Sequence, residues 1–389
     1  MADEYTEVTS QGWGSRILES IKGVLVGGAF FVASFPLLVW NEGRAVKTAR
    51  SLEEGAGAVV SVAAAPVDQG NQGKLIHTSG EATTNETLAD PDFGVSAPAI
   101  RLQRVVEMYQ WDEDEKSETK NKMGGGTETV KTYSYKKEWS DKLIDSDRFK
   151  QSDAHQNPAA MPFESRQWTA QTVKLGAYRL ADGQVARLDK TEPVNIDGAK
   201  VPAAVAEKAK PVAGQNMFYV GKDPSNPAVG DARVTFKSVK PATISVVARQ
   251  VGETFEAYLA KAGGTVDLLE YGQKSADSMF QAAQAANTTL TWILRGGGFM
   301  LMFLGLVMVF KPIAVFGDVI PIVGTLLGAG LAVFAGAVAA ALSLVTIAIS
   351  WLFFRPLVGI LLLLLAGGAV AGLAYLAAQK KKAASPVAA

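Results

Sequence analysis

The sequence predicts an α+β integral membrane protein, in which four transmembrane helices carry a large inserted β-rich domain. Three observations indicate this class. An apolar stretch occupies 21–40, a longer apolar block runs from Trp292 almost to Ala378, and a mostly polar segment, 41–291, separates the two. An α-helix rises ~1.5 Å per residue, so about 20 apolar residues cover a hydrocarbon core that is roughly 30 Å thick.

Composition excludes several classes of protein and site. The chain has 389 residues with 38 basic and 38 acidic side chains, so its net charge gives no reason to expect a nucleic-acid partner. Cysteine is absent, which excludes disulfides, thiolate metal sites and cysteine nucleophiles. The acidic start, MADEYTE, and the lack of a small-residue cleavage site favour an uncleaved signal anchor.

Charged and turn residues divide the apolar sequence into spans. The first transmembrane helix is predicted at 21–40, the second at 292–310, the third at 331–354 and the fourth at 357–378. Between the second and third, 311–330 is too long for a simple turn. A turn followed by a re-entrant or interfacial helix is predicted there.

Turn residues set the predicted boundaries of these spans. Proline lacks the helix donor, so Pro312 should end the second span. Asp318 is a candidate N-cap for the next helix, with Pro321 in its first turn. Arg355 and Pro356 should form the turn before the last span.

An even number of spans places both termini on one side of the membrane. Lys311 and the lysines at 380–382 favour the cytoplasm for that side, because basic residues accumulate in cytoplasmic loops. The prediction is therefore a cytoplasmic N-terminus at 1–20, an extracytoplasmic domain at 41–291 and a basic cytoplasmic tail at 379–389.

A polar motif directly after the first span is predicted to lie at the membrane interface. Asn41 can cap a short helix there, and Glu42 favours the positive end of that helix. The basic residues that follow recur every three positions and should face headgroups or solvent. The interface candidates are Asn41, Glu42, Gly43, Arg44, Lys47 and Arg50.

Alternation of side chains predicts that the inserted domain is rich in β-structure. Tyr109 and Trp111 share one face of a strand, as do Tyr133, Tyr135 and Trp139 of the next strand. A charged, Gly-rich segment between them predicts a hairpin with a flexible tip. Further strands are predicted at 173–180, 217–220, 232–239, 243–249, 253–260 and 265–271. A helix beginning at Ser275 is expected to run on into the second span, and barrel and sandwich arrangements both stay open.

Motifs for catalysis and metal binding are missing from the sequence. The two histidines, His77 and His155, are far apart and lack ligand spacing, so a structural role is expected for each. No nucleophile elbow, phosphate-binding loop or dinucleotide fingerprint is present. We therefore predict no catalytic residue, no metal site and no cofactor.

Charged residues near the predicted spans have two interpretations. Arg295, Asp318 and Arg355 each lie near a helix end, where a long side chain can reach water or an Asp can cap. The alternative places Asp318 in a wet cavity as a permeation or proton-relay group, because a charge at membrane depth usually has a function. Pairs of small residues such as Gly23 and Gly27 favour close helix packing.

These residues together resemble the LUMA family, transmembrane protein 43, through a co-linear series of segments. The first, NEGRAVKTARSLEEG at 41–55, is very similar to the family's NEGRAxKTAxSLxEG. The other segments are 106–111, 133–135, 138–139, 155–158, 160–161, 164–165, 247–250, 318 with 321, and 351–357. Within the domain the resemblance marks Tyr109, Trp111, Trp139, His155, Asn157, Pro158 and Glu164, and in the membrane part Asp318, Pro321, Arg355 and Pro356.

The resemblance implies a four-span protein that is not an enzyme, self-associates and organises other membrane proteins. Family members of eukaryotes lie in the endoplasmic reticulum and inner nuclear membrane, with cytosolic termini and a lumenal domain. The Ala- and Gly-rich, Cys-free composition indicates a bacterial source, so a bacterial inner membrane is predicted, with 41–291 periplasmic or extracellular and no nuclear partner. The segment 313–340 is more apolar than its family equivalent.

Two further hypotheses compete with an oligomeric scaffold whose partners are the lipid bilayer, further copies of itself and other membrane proteins. An ion-conducting or lipid-handling protein would use Asp318, Arg295 and the apolar, Gly-rich 313–330 segment. An enzyme would need a buried polar cleft that gathers His155, Glu164 and nearby carboxylates.

Overall fold

The computed structural model describes residues 3–196, 199–361 and 364. These residues form three long helices and a domain with two large sheets and two small two-stranded sheets. The helices are α1 Trp13–Ala58, α2 Asp182–Ala186, α3 Ala203–Ala206, α4 Ala276–Gly317 and α5 Pro321–Phe354, with 3-10 turns at Gln69–Asn71 and Ser146–Arg148. The first ten strands are β1 Asp3–Gln11, β2 Val60–Ser61, β3 Leu75–Thr83, β4 Thr87–Asp90, β5 Val95–Pro98, β6 Arg101–Asn121, β7 Thr127–Ser140, β8 Arg166–Thr169, β9 Lys174–Leu175 and β10 Tyr178–Arg179. The others are β11 Glu192–Pro193, β12 Lys210–Val212, β13 Met217–Val220, β14 Ala232–Val239, β15 Ala242–Val251, β16 Thr254–Glu256, β17 Tyr258–Leu259, β18 Thr265–Val266 and β19 Leu268–Tyr271. The two small sheets are β4-β5 and β17-β18.

α1, α4 and α5 are each long and apolar enough to cross a membrane, and they form one bundle. α4 runs antiparallel to the other two, because Gly27 meets Gly305 near one end while Asn41 meets Thr291 toward the other. The helices expose large apolar side chains outward. Leu25 is 80 % exposed, Val333 75 % and Phe353 77 %. Such surfaces require an apolar surrounding.

The α+β class is confirmed, but the predicted number and bounds of the membrane helices change. Within the described residues there are three candidate spans, not four. The predicted span at 357–378 begins with helical residues up to 361, and the greater part of it lies outside the described residues.

The segment 311–330 also differs from the predicted turn and re-entrant helix. α4 continues through Pro312 to Gly317, and α5 begins at Pro321 without a separate re-entrant helix. Membrane helices accommodate proline where neighbouring helices support the freed backbone groups. Asp318 is therefore the C-cap of α4 and not the N-cap of α5, whereas Pro321 does occupy the first turn of α5.

One of the two large sheets of the domain is built around the β6–β7 hairpin. Its strand order is β1-β7-β6-β14-β13-β12, with β8 and β11 paired at its sides. Burial alternates along the first half of β6, so that Leu102, Val106 and Met108 face the core. Tyr109 and Trp111, which were predicted to share one face of the strand, both lie on the opposite, half-buried face.

The other large sheet closes on itself, which answers the question of barrel or sandwich. Its order is β19-β15-β16-β10-β9-β3-β2, and β15 also pairs with β3. β3, β15, β16, β10 and β9 therefore form a closed hydrogen-bonded circuit. Its interior is filled by buried side chains that include Ile76, Leu175, Tyr178, Val246 and Phe255.

α1 and α4 continue from the membrane region into the domain without a break. Leu52 of α1 and Met279 and Phe280 of α4 pack against Leu75, Val247 and Val266 of the domain strands. Ser275 caps α4 by accepting a hydrogen bond from the Ser278 backbone N–H, so the predicted helix that runs on into the second span is confirmed. The domain is consequently held by two helices at once.

The N-terminal residues form part of the domain sheet. β1 pairs antiparallel with β7 over nine residue pairs, from Asp3 opposite Tyr135 to Gln11 opposite Thr127. The predicted topology places 1–20 and 41–291 on opposite sides of the membrane. The structure instead joins 3–11 to the hairpin, because the alternating polar strand satisfies the otherwise open edge of β7.

Close contact between α1 and α4 depends on Gly27. A Cβ atom at that position would lie 2.7 Å from the Gly305 carbonyl oxygen and 2.7 Å from the Met308 Cβ, whereas a Cβ at Gly23 would meet nothing within 4 Å. We expect Gly27→Ala to lower the free energy of unfolding by about 1–3 kcal/mol through overpacking. Gly23→Ala, the control on the same helix, should leave it unchanged or raise it slightly. Thermal unfolding of both variants in one detergent checks this, and equal melting temperatures would contradict the packing.

Candidate functional site

A buried ion pair joins the three long helices where they meet the domain. The Glu42 carboxylate is fully buried and accepts hydrogen bonds from Arg295 Nε at 2.7 Å and Nη2 at 2.9 Å. The indole N–H of Trp351 donates to the same carboxylate at 2.7 Å. Glu42 thus binds one residue from α4 and one from α5. Both ionised groups are satisfied, as charges removed from water require.

A set of polar side chains extends this contact between α1 and α4. Asn41 donates to the Thr291 carbonyl at 3.1 Å. Arg44 donates to Asn287 Oδ1 at 2.9 Å, to Thr291 Oγ1 at 3.0 Å and to Asn41 Oδ1 at 3.2 Å. We call this set, with the ion pair, the junction layer. Its members are Asn41, Glu42, Arg44, Asn287, Thr291, Arg295 and Trp351.

The structure corrects part of the predicted interface motif. α1 is continuous through Asn41, so Asn41 caps no new helix and Glu42 serves no helix N-terminus. Arg44 is half-buried between α1 and α4, because polar partners on α4 face it. Lys47 and Arg50 are exposed, as predicted.

A groove beside the junction layer collects the remaining motif residues. Its volume is ≈ 570 Å³, and we call it the interface groove. It is lined by Trp40, Gly43, Arg44, Lys47, Arg50, Ala262, Phe353 and Phe354, with Val39 and Val46. Gly43 is needed there, because a Cβ would lie 2.8 Å from the Phe354 ring. Two exposed cations beside an apolar wall match an anionic headgroup and its acyl chain.

The candidates at the end of α5 lie close to the junction layer. Arg355 follows α5 as its C-cap, and Pro356 begins the next helical residues, so the predicted turn is present. Arg355 and Arg295 line a cavity of ≈ 200 Å³ with Asn287 and Thr291. Arg50 donates to the Phe354 carbonyl at 3.2 Å, which satisfies one backbone group at the end of α5.

Asp318 belongs to a second polar contact at the opposite end of the helices. Its carboxylate forms an ion pair with Arg16 and accepts from Asn121 Nδ2 at 3.1 Å. Trp13 Nε1 donates to the Val315 carbonyl at 3.0 Å, and the backbone N–H of Gly124 donates to the Val319 carbonyl at 3.2 Å. The hairpin tip that was predicted to be flexible therefore lies against the α4–α5 turn.

In the domain, the family residues assemble the base of the β6–β7 hairpin. The buried His155 ring stacks on Tyr135 with 3.7 Å between centroids and meets Trp111 edge-on at 4.7 Å. Asn157 accepts from the Trp111 backbone N–H at 2.8 Å and donates to its carbonyl at 2.9 Å. The loop after β7 is thereby held against β6, so these residues have a structural role in the fold.

The other marked domain residues have separate contacts. Tyr109 packs against Trp139 with 5.2 Å between ring centroids, and Pro158 lies against Gly230. Glu164 is exposed and forms an ion pair with Arg166.

One tyrosine of the domain has a strongly raised pKa. Burial and a hydrogen bond to Glu113 raise the pKa of Tyr135 to about 12, so this phenol stays neutral and structural. Among the residues that the structure describes, no three His, Asp or Glu side chains are arranged to hold a metal ion. His77 bonds the Lys274 carbonyl and Ser61, again within the fold.

Sequence reasoning missed the partners of the charged residues. Glu42 and Arg295 were both singled out, but not as a pair, and Arg16, Asn121 and Trp351 had no assigned contacts. Opposite charges at the same end of two consecutive spans are a usable signal, because charges near hydrocarbon pair with one another. The contact of Asn121 with Asp318 had no such signal.

Removal of Glu42 should expose the energetic role of the junction layer. We expect Glu42→Ala to cost about 3–5 kcal/mol of unfolding free energy, because Arg295 is left buried without its partner. Glu53→Ala, at an exposed site on the same helix, should stay within about 0.5 kcal/mol. Replacing Glu42 and Arg295 together by Met should recover most of the loss. Denaturant unfolding in detergent measures all three, and similar losses for Glu42→Ala and Glu53→Ala would contradict the buried pair.

The comparisons with known proteins cover nearly the whole chain. A family model described as Transmembrane protein 43 matches residues 108–356. The chain is 37 % identical to Transmembrane protein 43 of Rattus norvegicus over 91 % of this chain and 90 % of that one, and 36 % identical to the protein of Homo sapiens over 90 % and 89 %. The Transmembrane protein 43 homolog of Drosophila melanogaster is 30 % identical over 87 % of this chain and 91 % of its own. No solved structure matches. The chain belongs to the transmembrane protein 43 (LUMA) family.

Proposed function

We propose that this protein is an oligomeric integral membrane scaffold that is not an enzyme, and that it organises the bilayer or other membrane proteins. The observation that carries the proposal is the junction layer. It fixes three apolar helices to one another and to a large domain that has no catalytic constellation in the part of the chain described. In such a structure the domain and the membrane helices move together as one body.

Continuous helices support rigid coupling. α1 and α4 pass from the membrane region into the domain and are bound on both sides of the junction, by Leu38 against Gly298 below and by Leu52 and Phe280 above. A flexible linker would let domain and helices move independently, whereas two unbroken helices do not. Rigid coupling suits a protein whose copies must meet in a fixed orientation.

Sidedness and source form part of the proposal. We place the protein in a bacterial inner membrane, with the body of the 41–291 domain periplasmic or extracellular, on the charge bias of the loops. In this orientation the α4–α5 turn with Asp318 lies at the cytoplasmic end of the bundle. The relatives named above are animal proteins, so the bacterial assignment rests on composition.

Assembly can be measured directly. We expect the protein in lipid nanodiscs to give a single defined oligomer by native mass spectrometry, because rigid copies with matching surfaces form closed symmetric assemblies. The same preparation in mild detergent at two protein concentrations is the control for chance co-capture in one disc. A monomer under all these conditions would exclude an assembly-based scaffold.

A lipid-handling function is the second candidate, and the interface groove favours it. The exposed Lys47 and Arg50 lie next to Phe353 and Phe354, so that one anionic lipid could place its headgroup and chain together. The ion-conducting form of this alternative draws nothing from Asp318, whose carboxylate is paired with Arg16.

Neutralising the groove should weaken binding of anionic lipid. We expect Lys47→Gln with Arg50→Gln to reduce retention of phosphatidylglycerol on the order of tenfold, since each basic group near an anionic surface contributes about 1 kcal/mol. Lys208→Gln with Lys222→Gln, at exposed sites of the domain, removes the same charge and should change nothing. Native mass spectrometry in phosphatidylcholine discs with added phosphatidylglycerol reports the bound lipid. Equal retention in both double variants would reject the groove as a lipid site.

A further inference from the structure

A charged three-stranded sheet runs beside the apolar helices. It consists of residues 3–11 of β1, 112–121 of β6 and 127–136 of β7, and we call it the polar ribbon. At its base it joins the domain through Trp111, which Asn157 and His155 hold. At its tip Asn121 bonds Asp318 at the α4–α5 turn. The ribbon is therefore fixed at both ends.

The ribbon and the apolar helices span comparable lengths. From Trp111 to Asn121 a strand covers about 34 Å at ~3.4 Å per residue. From Arg16, which binds the same Asp318, to Glu42 of the junction layer, α1 covers about 39 Å at ~1.5 Å per residue. If the helices cross a bilayer of roughly 30 Å, the ribbon passes through the same thickness.

Lipid cannot surround this ribbon. It carries nine acidic and four basic side chains, and residues 114–121 are all exposed. Some of the charges pair across strands, as Lys131 does with Glu115 at 2.8 Å and Lys136 with Asp114 at 3.0 Å. Even a paired charge is costly at the centre of a bilayer unless water or protein surrounds it. Irregular or open backbone at membrane depth occurs only where protein covers it or water reaches it.

One copy of the chain cannot surround its helices with lipid and its ribbon with water at the same membrane depth. The helices need lipid around side chains such as Leu25 and Phe353, while the ribbon on the same chain needs water. Residues 362–378, outside the described part, have no charged side chain with which to cover it. Further copies can resolve the conflict by placing their own helices between this ribbon and the lipid.

We propose that copies of this chain close into a ring in which the helices face lipid and the polar ribbons line a water-filled interior at membrane depth. The inference rests on the proposed oligomeric function and adds where the copies meet and what lies between them. Lys122 and Lys150 pair with Glu128 and Glu7 of the ribbon, so an excess of three negative charges remains on each ribbon and makes such an interior favour cations over anions. Residues 3–11 then lie inside this space, folded back toward the domain.

The cysteine-free chain allows a direct test with single-cysteine variants in native membranes. Ser117→Cys reports the ribbon and Leu25→Cys the lipid-facing side of α1. The two sites are depth-matched, since Ser117 lies about 14 Å from Asn121 along its strand and Leu25 about 14 Å from Arg16 along α1. We expect a small, charged maleimide to label Ser117→Cys at least tenfold faster than Leu25→Cys.

A second pair of variants fixes the sides of the membrane. Met123→Cys at the exposed hairpin tip and Ser225→Cys in an exposed domain loop are treated with a bulky maleimide in sealed vesicles. We expect labelling from opposite sides, with one site reacting only after permeabilisation. Labelling of both sites from the same side would overturn the proposal, because the helices would then lie flat or the ribbon would lie outside the membrane.

Failure of this inference can be told apart from failure of the proposed function. A defined oligomer in which Ser117→Cys reacts as slowly as Leu25→Cys removes the water-filled interior and leaves the scaffold. A monomer by native mass spectrometry removes the scaffold and the ring together. A defined oligomer with fast Ser117→Cys labelling and opposite-sided Met123→Cys and Ser225→Cys supports both.

Discussion

The fully buried carboxylate of Glu42 is the constraint on which the arrangement of the helices depends. An ionised group removed from water must be paired and hydrogen-bonded, and Arg295 and Trp351 supply these partners from two other helices. Their geometry is compatible with only one axial register of α1 against α4 and of α5 against both. The pair therefore specifies where the helices align, while apolar contacts supply the packing energy around it.

Glycine makes the same register sterically possible. Gly27 and Gly305 lie so close that neither tolerates a Cβ, and Gly298 receives the side chain of Leu38. A shift of one helical turn that brought Phe31 to the position of Gly27 would place a larger side chain against Gly305, and a shift in either direction would separate Glu42 from Arg295. Polar pairing and close packing thus select one alignment, and consistent constraints of this kind favour a single structure.

Apolar runs and alternation predicted much of the fold, and long-range pairing accounts for the rest. Strands at 217–220 and 232–239 have the predicted bounds, and side-chain burial alternates along most of the second strand. A short helix after Asn41 was predicted, but its continuity with the first span was not, because the contacts with α4 and the domain that support one long helix cannot be read from the sequence. β1 could not be found either, because a short polar strand gains its structure from β7, more than a hundred residues away. In the candidate site, sequence identified Glu42, Arg44 and Arg295 but not their mutual contacts, which require the helix register.

The conflict between the polar ribbon and the apolar helices follows from the same pairing rule that governs Glu42. Within the helices, each charged group at the junction layer finds an opposite charge or a polar partner inside one chain. Along the ribbon, cross-strand pairs such as Lys131 with Glu115 neutralise only part of the charge, and acidic groups remain in excess. No rearrangement inside the described chain removes that excess while Asn121 stays bound to Asp318 and Trp111 stays bound to Asn157. Water or another copy must therefore meet the remaining charges, and the proposed ring is an arrangement that provides both.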